Sequence, residues 1–306
     1  MESASGGPWA APPGGISVCI VCRNEADRLG PCLESASWAD EVVVLDLESS
    51  DGSAELARAH GASVVAHAAV PIVETVRNVV ADAASGDWVL VLDPDERVSA
   101  GLAAELRRAS KRPDVDAVVM PRMNFDFGYP ATSPLQRHEP QLRMYRRAAV
   151  RWPEFPNALP EVPEDRLLRV PPSDELALLH ERNRSIPEAL DRVRRYAPAQ
   201  AQAMIEAGEV FTARRMLTTL GEKLYRHFVV TRALRDGVPG LTRAGVLVAF
   251  HLYVWAAFWH QSGARRTPED DRLLRRLDLV LEAAHRLARA LVRPARLVKA
   301  ARGVRR

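Results

Sequence analysis

Short apolar runs alternate with segments of helical spacing through the first third of the chain, and this alternation constrains the fold more than any other feature. Ile16–Val21 reads as a strand, followed by helical spacing through Ala26, Leu29, Leu33 and Ala36. Glu41–Leu45 reads as a second strand ending at Asp46. Ser49-Ser50-Asp51-Gly52-Ser53 then makes a turn and a helix cap, and Ala54–His60 a short helix stopped by Gly61. Ser63–Ala66 is a third strand, Pro71–Ala84 a helix with Pro71 in its first turn, and Trp88–Leu92 a fourth strand bounded by Gly86-Asp87 and Pro94. Ser99 caps a further helix to about Ala109. The pattern predicts an α/β fold with a Rossmann-like, mostly parallel central sheet. Right-handed crossovers then bring the carboxyl ends of the strands to one rim. Arg23, Asp46 and Asp93 fall on that rim, where open α/β sheets bind ligands.

The fourth strand ends in Asp93, Asp95 and Glu96. Carboxylates so placed suit Mg²⁺ or Mn²⁺, with phosphate oxygens completing the shell. Like charges crowded together are costly without a cation, which also argues for a metal. A solvated acidic turn with Pro94 at its corner explains the same residues.

Past Val115–Met120, another strand, the stretch Arg122–Pro140 mixes aromatics, Gly, Pro and charge without a period. Gln141–Arg146 and Val150–Trp152 read as strands, and Glu154–Pro172 as a loop rich in prolines and acids. From Ile186 the chain turns helical, with an apolar stripe through Leu190, Val193, Ala197, Ala201 and Met204 and a second helix over about Glu209–Arg235. Ala244–Trp259 is apolar apart from His251, yet shorter than the roughly 20 residues that span a bilayer. The end, Asp278–Arg306, is amphipathic and carries eight Lys or Arg and no acid after Glu282, which suits an anionic membrane surface. A buried helix followed by a solvated one is the alternative. No aromatic platform accompanies these arginines, so nucleic acid is not an expected partner.

The 306 residues allow one large domain or two smaller ones, with the composition of a soluble globular protein. A net charge of +3 is too small to name a partner, although acids concentrate early and arginines late. Cys19, Cys22 and Cys32 lie near the start with no second pair at zinc spacing, and read as reduced core thiols of a cytosolic protein. The first 14 residues lack the basic and apolar regions of a signal peptide and read as a disordered tail.

Four motifs taken in order resemble glycosyltransferase family 2: ISVCIVCRNE at the first strand, WADEVVVLD with SSDGS at the second, VRN at Arg77-Asn78, and GDWVLVLDPDERVS at the fourth. QLRMYRR and LLHERNRSIPEALDRVRRY are similar to the branch with lipopolysaccharide-core and related cell-envelope glucosyltransferases. The resemblance covers about Gly15–Ala197. The resemblance implies a GT-A fold over 15–197, while the apolar segment and the basic amphipathic end make 198–306 a helical, membrane-associating extension. The resemblance also implies an inverting transfer from a nucleotide-sugar donor, UDP-hexose first, to a lipid-linked or polysaccharide acceptor, and together with the basic end it predicts a cytoplasmic enzyme peripheral on the inner face of the cytoplasmic membrane.

Site roles follow from the same resemblance. Cys22, Arg23, Asn24 and Glu25 would cradle the nucleotide, Asp46 would meet base or ribose, and Arg77 base and phosphates. Asp95 would ligate the metal, Asp93 the ribose, the metal or its water, and Glu96 would orient the loop. His180 would face the diphosphate or only satisfy a local hydrogen bond, and Arg143 would touch a substrate or only pack in its strand. The chain departs from the branch where a His-Glu or His-Asn pair is common, having Phe155-Pro156-Asn157-Ala158-Leu159-Pro160-Glu161 instead. Glu161, then Glu154, are the carboxylates left to act as general base. Two other readings compete. One is a catalytically inactive scaffold with this fold. The other is a sugar-1-phosphate nucleotidyltransferase, which would need a Gly-rich loop and a lysine absent from Val21–Glu25.

Overall fold

The computed structural model describes residues 14–70, 73–153, 159–263, 265 and 267–302. The chain divides into two compact units, one of Met1–Ile186 with Thr231–Gly240, the other of Pro187–Val230 with Leu241–Arg306.

The first unit is built on one ten-stranded sheet. Its first half comprises β1 (Ile16–Cys22), α1 (Ala26–Ala36), β2 (Glu41–Asp46), α2 (Ser53–Ala59), β3 (Ser63–Ala66), α3 (Arg77–Ala83) and β4 (Trp88–Leu92). Strands β1 to β4 pair in parallel in the order β3-β2-β1-β4. Strands covered on both faces must be apolar throughout, and every residue of β4 is buried. Cys19 and Cys22 point into different layers of core on the two sides of β1. Burial is the main cause that pushes the Cys22 thiol up to about 12, with Asp46 adding to it. Both cysteines are free and buried, as expected of core thiols.

The second half comprises β5 (Glu96–Val98), α4 (Ala100–Ala109), β6 (Ala117–Asp126), β7 (Tyr129–Pro130), α5 (Pro134–Arg137), β8 (Glu139–Arg146), β9 (Leu167–Arg169) and β10 (Leu178–Asn183). The order continues β4-β8-β6-β10-β5, with β7 and β9 also on β6. Here β8 runs antiparallel to β4 and β6, while β10 is parallel to β6. The sheet is therefore parallel in its first half and mixed in its second. Ser99 caps α4 by accepting the Leu102 N–H at 3.2 Å.

Besides Val150–Trp152, which forms no strand, and the expected loop Glu154–Pro172, which contains β9, three local features differ from the sequence reading. The helix expected from Pro71 begins as a 3₁₀ turn, Val73–Val76, with α3 following; Pro71 and Ile72 lie outside the described residues. The stretch Arg122–Pro140 does have a period at its start. Arg122, Asn124 and Asp126 alternate along β6, so their side chains share one face of the sheet. Third, the helix expected over 209–235 is broken, as described below.

The second unit contains α6 (Ile186–Glu206), α7 (Ala213–Leu224), most of α8 (Gly237–Gln261) and α9 (Pro268–Arg302). After α7 the chain forms a π-helical turn, Tyr225–Val230, and Arg232 has a left-handed φ of +51°. The core of this unit is Ala201, Trp255, Ala257 and Phe258, with Phe211 set edge-on to Trp255 and Phe258 at 6.0 Å from each. The apolar helix is longer than the run Ala244–Trp259. Ala233–Gln261 spans 29 residues, holds an 18-residue window of mean hydropathy 1.4 that is 33% buried, and is long and apolar enough to cross a membrane.

Gly86 packs against β1 so closely that a Cβ there would lie 2.6 Å from Ser17 Oγ and 2.7 Å from Gly15 O. We expect Gly86→Ala to destabilise the protein by about 1–3 kcal/mol in urea unfolding, because backbone must shift to admit the methyl. His227 supplies a pH test. Burial, then His251, lowers its pKa from 6.5 to about 4. The unfolded chain thus binds a proton that the folded one refuses, so stability should fall as pH drops from 6.5 towards 4. In His227→Phe that portion of the pH dependence of Tm should disappear.

Candidate active site

The carboxyl ends of β1, β2 and β4 lie side by side, since Cys22 pairs with Asp46 and Ile20 with Leu92. Two loops lock together over the β1 end. Asn24, at φ +54°, accepts the Ser50 N–H through Oδ1 at 2.7 Å and gives its own N–H to Ser49 Oγ at 2.9 Å. Asn is among the residues that tolerate this backbone region. Asp51 accepts the Ala26 N–H at 3.0 Å and caps α1, while Ser53 Oγ accepts the Glu25 N–H at 3.1 Å. The SSDGS turn therefore caps the preceding helix as well as opening α2. Its hydrogen bonds to Ser53 and Ala26 outweigh burial and lower the Asp51 pKa. Asp46 is buried and accepts the Ser49 N–H at 3.2 Å. Arg23 is exposed, and no hydrogen bond or ion pair holds its side chain among the described residues.

Asp93, Asp95 and Glu96 are each met by arginine. Arg143, 4% exposed on β8, donates to Asp93 Oδ2 at 2.6 Å and to Glu96 Oε1 at 2.8 Å. Arg77 lies 3.9 Å from Asp93 Oδ1 and stacks over Trp152, 4.6 Å from the ring centroid. Asn78 clamps the Trp152 backbone from both sides, donating to its carbonyl at 2.8 Å and accepting its N–H at 3.0 Å. Glu96 is fully buried, accepts the Asp93 N–H at 3.1 Å, and is reached by Arg122 at 3.2 Å. Asp95 Oδ2 accepts from Arg28 at 3.1 Å and lies 3.4 Å from His180 Nε2. Burial works to raise the Asp93 pKa, but Arg143 and Arg77 outweigh it and hold the carboxyl well below its usual range. Burial also works to lower the Arg143 pKa, and Asp93 and Glu96 overcome it, so that pKa is raised. Burial lowers that of Arg77.

The structure thus brings Arg77, Asp93, Asp95, Glu96, Arg143 and His180 into one constellation. Glu96 orients the loop. Arg143 bridges two acids of the loop instead of simply packing in its strand. The argument for a metal from uncompensated charge does not hold, because guanidinium groups already balance the three acids. Glu161 is exposed and enters none of these contacts, and Glu154 lies outside the described residues. Sequence reading missed Arg28, Arg122, Asn124 and Glu139. Arg122 and Asn124 could have been found from their period-two spacing. Arg28 could have been found as a charged residue beside the apolar stripe of α1. Among the described residues no three His, Cys, Asp or Glu side chains form a metal-holding group.

The profile of the family described as Glycosyl transferase family 2 matches residues 17–170, just over half of the 306. A TPR repeat-containing protein of Synechococcus elongatus is 34% identical over 43% of this chain, which spans only 34% of that relative's length. The lipopolysaccharide core biosynthesis glycosyltransferase LpsC of Rhizobium meliloti is 25% identical over 85% of this chain and 97% of its own. Among solved structures, the mannosyltransferase PcManGT from Pyrobaculum calidifontis, in complex with GDP-Man and Mn²⁺, is 16% identical over 90% of this chain and 84% of its own, with a TM-score of 0.41. On the strength of that profile, laid over the sheet and rim just described, the chain belongs to glycosyl transferase family 2.

Proposed function

We propose that this glycosyltransferase moves a sugar from a nucleotide-sugar donor, UDP-hexose in the first instance, to a lipid- or polysaccharide-linked acceptor in cell-envelope glycan synthesis, with inversion. One observation carries the reading: Arg77 and Arg143 converge on Asp93 at the end of β4, on the rim shared with Asp46 and Cys22. Likeness to LpsC over nearly all of that protein supports the envelope acceptor.

In this reading the β1 turn, Cys22 to Glu25, receives the nucleotide, and the exposed Arg23 takes a phosphate. Asp46 accepts a base or ribose hydrogen. Arg77, stiffened by Trp152, faces the donor from the α3 side. Asp93 binds the ribose, and its low pKa keeps it a carboxylate throughout. The residues at Asp95 fit a divalent cation: its oxygen and the nearby His180 nitrogen offer two ligands, and diphosphate and water oxygens can supply the rest. Mg²⁺ or Mn²⁺ bound there would offset the charge developing on the leaving diphosphate. In the transfer, the acceptor oxygen bonds to the anomeric carbon from the face opposite the diphosphate. The bond to phosphate breaks, its electron pair leaves with the diphosphate, and a base takes the acceptor proton. Glu161 is the first candidate, because unlike the three loop acids it carries no arginine among the described residues; Glu154 is the second.

The second unit supports a place at the inner face of the cytoplasmic membrane. Leu252, Tyr253 and Trp259 of α8 and Leu279, Val280, Leu281 and Leu287 of α9 are exposed, and the chain beyond Glu282 is free of acids. The paired state of the loop acids keeps one competing reading alive: balanced ion pairs can persist in a scaffold without activity.

Thermal unfolding with nucleotide diphosphates decides between these, since a ligand of the native state raises Tm by mass action. We expect a Mn²⁺-dependent rise with UDP that Asp95→Ala abolishes, together with a roughly 10²–10³-fold lower kcat in a still folded variant. No rise with any nucleotide would favour the scaffold. Glu161→Gln should lower kcat by about 10²–10⁴-fold with little change in donor affinity; full activity there with an inactive Glu154→Gln would move the base to Glu154. Deleting residues 278–306 should abolish co-sedimentation with anionic vesicles and leave soluble-acceptor activity intact.

A further inference from the structure

We propose that Asn124 is a positioning residue that sets which nitrogen of His180 faces Asp95. Asn124 lies on β6 in parallel register with His180 on β10, so their side chains stand together on one face of the sheet. It is 1% exposed. Its Nδ2 faces two groups that can only accept: the Gln136 carbonyl at 2.8 Å and Glu139 Oε2 at 3.1 Å. These two acceptors fix the amide's orientation, for a flipped amide would set its oxygen against both. The remaining atom, Oδ1, lies 2.7 Å from His180 Nδ1 and can only accept. His180 therefore carries a proton on Nδ1, which leaves Nε2 as the nitrogen that faces Asp95 Oδ2, 3.4 Å away. In the neutral ring Nε2 presents a lone pair to that carboxylate oxygen, and a positive centre between them satisfies both. The donor's divalent cation supplies one, so this role rests on the metal reading given above.

Glu139 is the common anchor. The same Oε2 that accepts from Asn124 accepts from Arg122 at 2.7 Å, and Arg122 reaches Glu96. One carboxylate on β8 thus ties together the support of His180 on one side and of the Asp93–Glu96 turn on the other. A residue that orients a ligating histidine through its second nitrogen changes metal affinity by about 10–100-fold when removed.

Two measurements on the full chain test this. Long-range ¹H–¹⁵N spectra of histidine-labelled protein, with His180 assigned by the loss of its signals in His180→Gln, should show the Nδ1–H tautomer without any added metal. A proton on Nε2 alone would overturn the proposal. Isothermal titration of Mn²⁺ in the presence of UDP should then show Asn124→Leu weakening Mn²⁺ binding by about 10–100-fold while metal-free UDP binding holds. Glu139→Gln keeps an acceptor for Asn124 and should retain the tautomer even if Asn124→Leu does not fold. Unchanged tautomer and unchanged Mn²⁺ affinity in a folded Asn124→Leu would also overturn the proposal. If the native protein shows the Nδ1–H tautomer yet binds no Mn²⁺, the metal reading fails and the positioning of the ring by Asn124 stands.

Discussion

The bridge that Arg143 makes between Asp93 and Glu96 is the interaction on which the rest of the site depends. A guanidinium this deeply buried loses its hydration, and ion pairs of this kind contribute little net stability even when well formed. Here the Nε of Arg143 is buried without a hydrogen-bond partner, so satisfaction is incomplete as well. What the bridge does achieve is geometric. It joins the antiparallel strand β8 to the end of the parallel strand β4 and fixes the turn between β4 and β5, while Glu96 holds the Asp93 backbone from beneath. Remove the guanidinium and the buried Glu96 carboxylate would face the half-exposed one of Asp93, with Arg77 and Arg122 nearby.

That arrangement changes the electrostatic account of the acidic loop. Three acids in four positions look like a locus of repulsion. In the folded protein each has a guanidinium within 3.2 Å, supplied by α1, β6 and β8. A cation is therefore not needed to hold the loop together. The case for one rests instead on Asp95 and His180, where a ring nitrogen and a carboxylate oxygen stand close together. The distinction has a functional side. Groups neutralised by fixed arginines stay charged and stay placed across the working pH range, and this is what preorganised electrostatics asks of a transferase.

The β1 side of the rim is organised differently. It is held by short polar side chains bonding to backbone rather than by ion pairs. Asn24, Ser49, Asp51 and Ser53 satisfy the N–H groups of two adjoining loops, including the free N-terminal amide of α1 at Ala26. This leaves Arg23 exposed at the rim. The two sides meet at Asp93, which belongs to the ion-pair network and lies on the rim beside β1.

Much of this was legible in the sequence. Strands buried on both faces must be apolar without interruption, so Ile16–Val21, Glu41–Leu45 and Trp88–Leu92 announce themselves, and the alternation with helices places their ends on one rim. The acids ending β4 were legible because carboxylates are unusual directly after a buried strand, and Arg77 with Asn78 through the family resemblance. What could not be read was the pairing. Arg28 meets Asp95 across 67 residues, Arg143 meets Asp93 across 50, and His180 meets Asn124 across 56. The order β4-β8-β6-β10-β5 brings these residues together, and nothing local in the chain encodes that order. By itself the sequence determined the parallel half-sheet, its rim and the types of residue on it, because burial and chain chirality act locally. Only the tertiary structure decided which charge answers which, because Coulombic and hydrogen-bonded partners are chosen by distance in space.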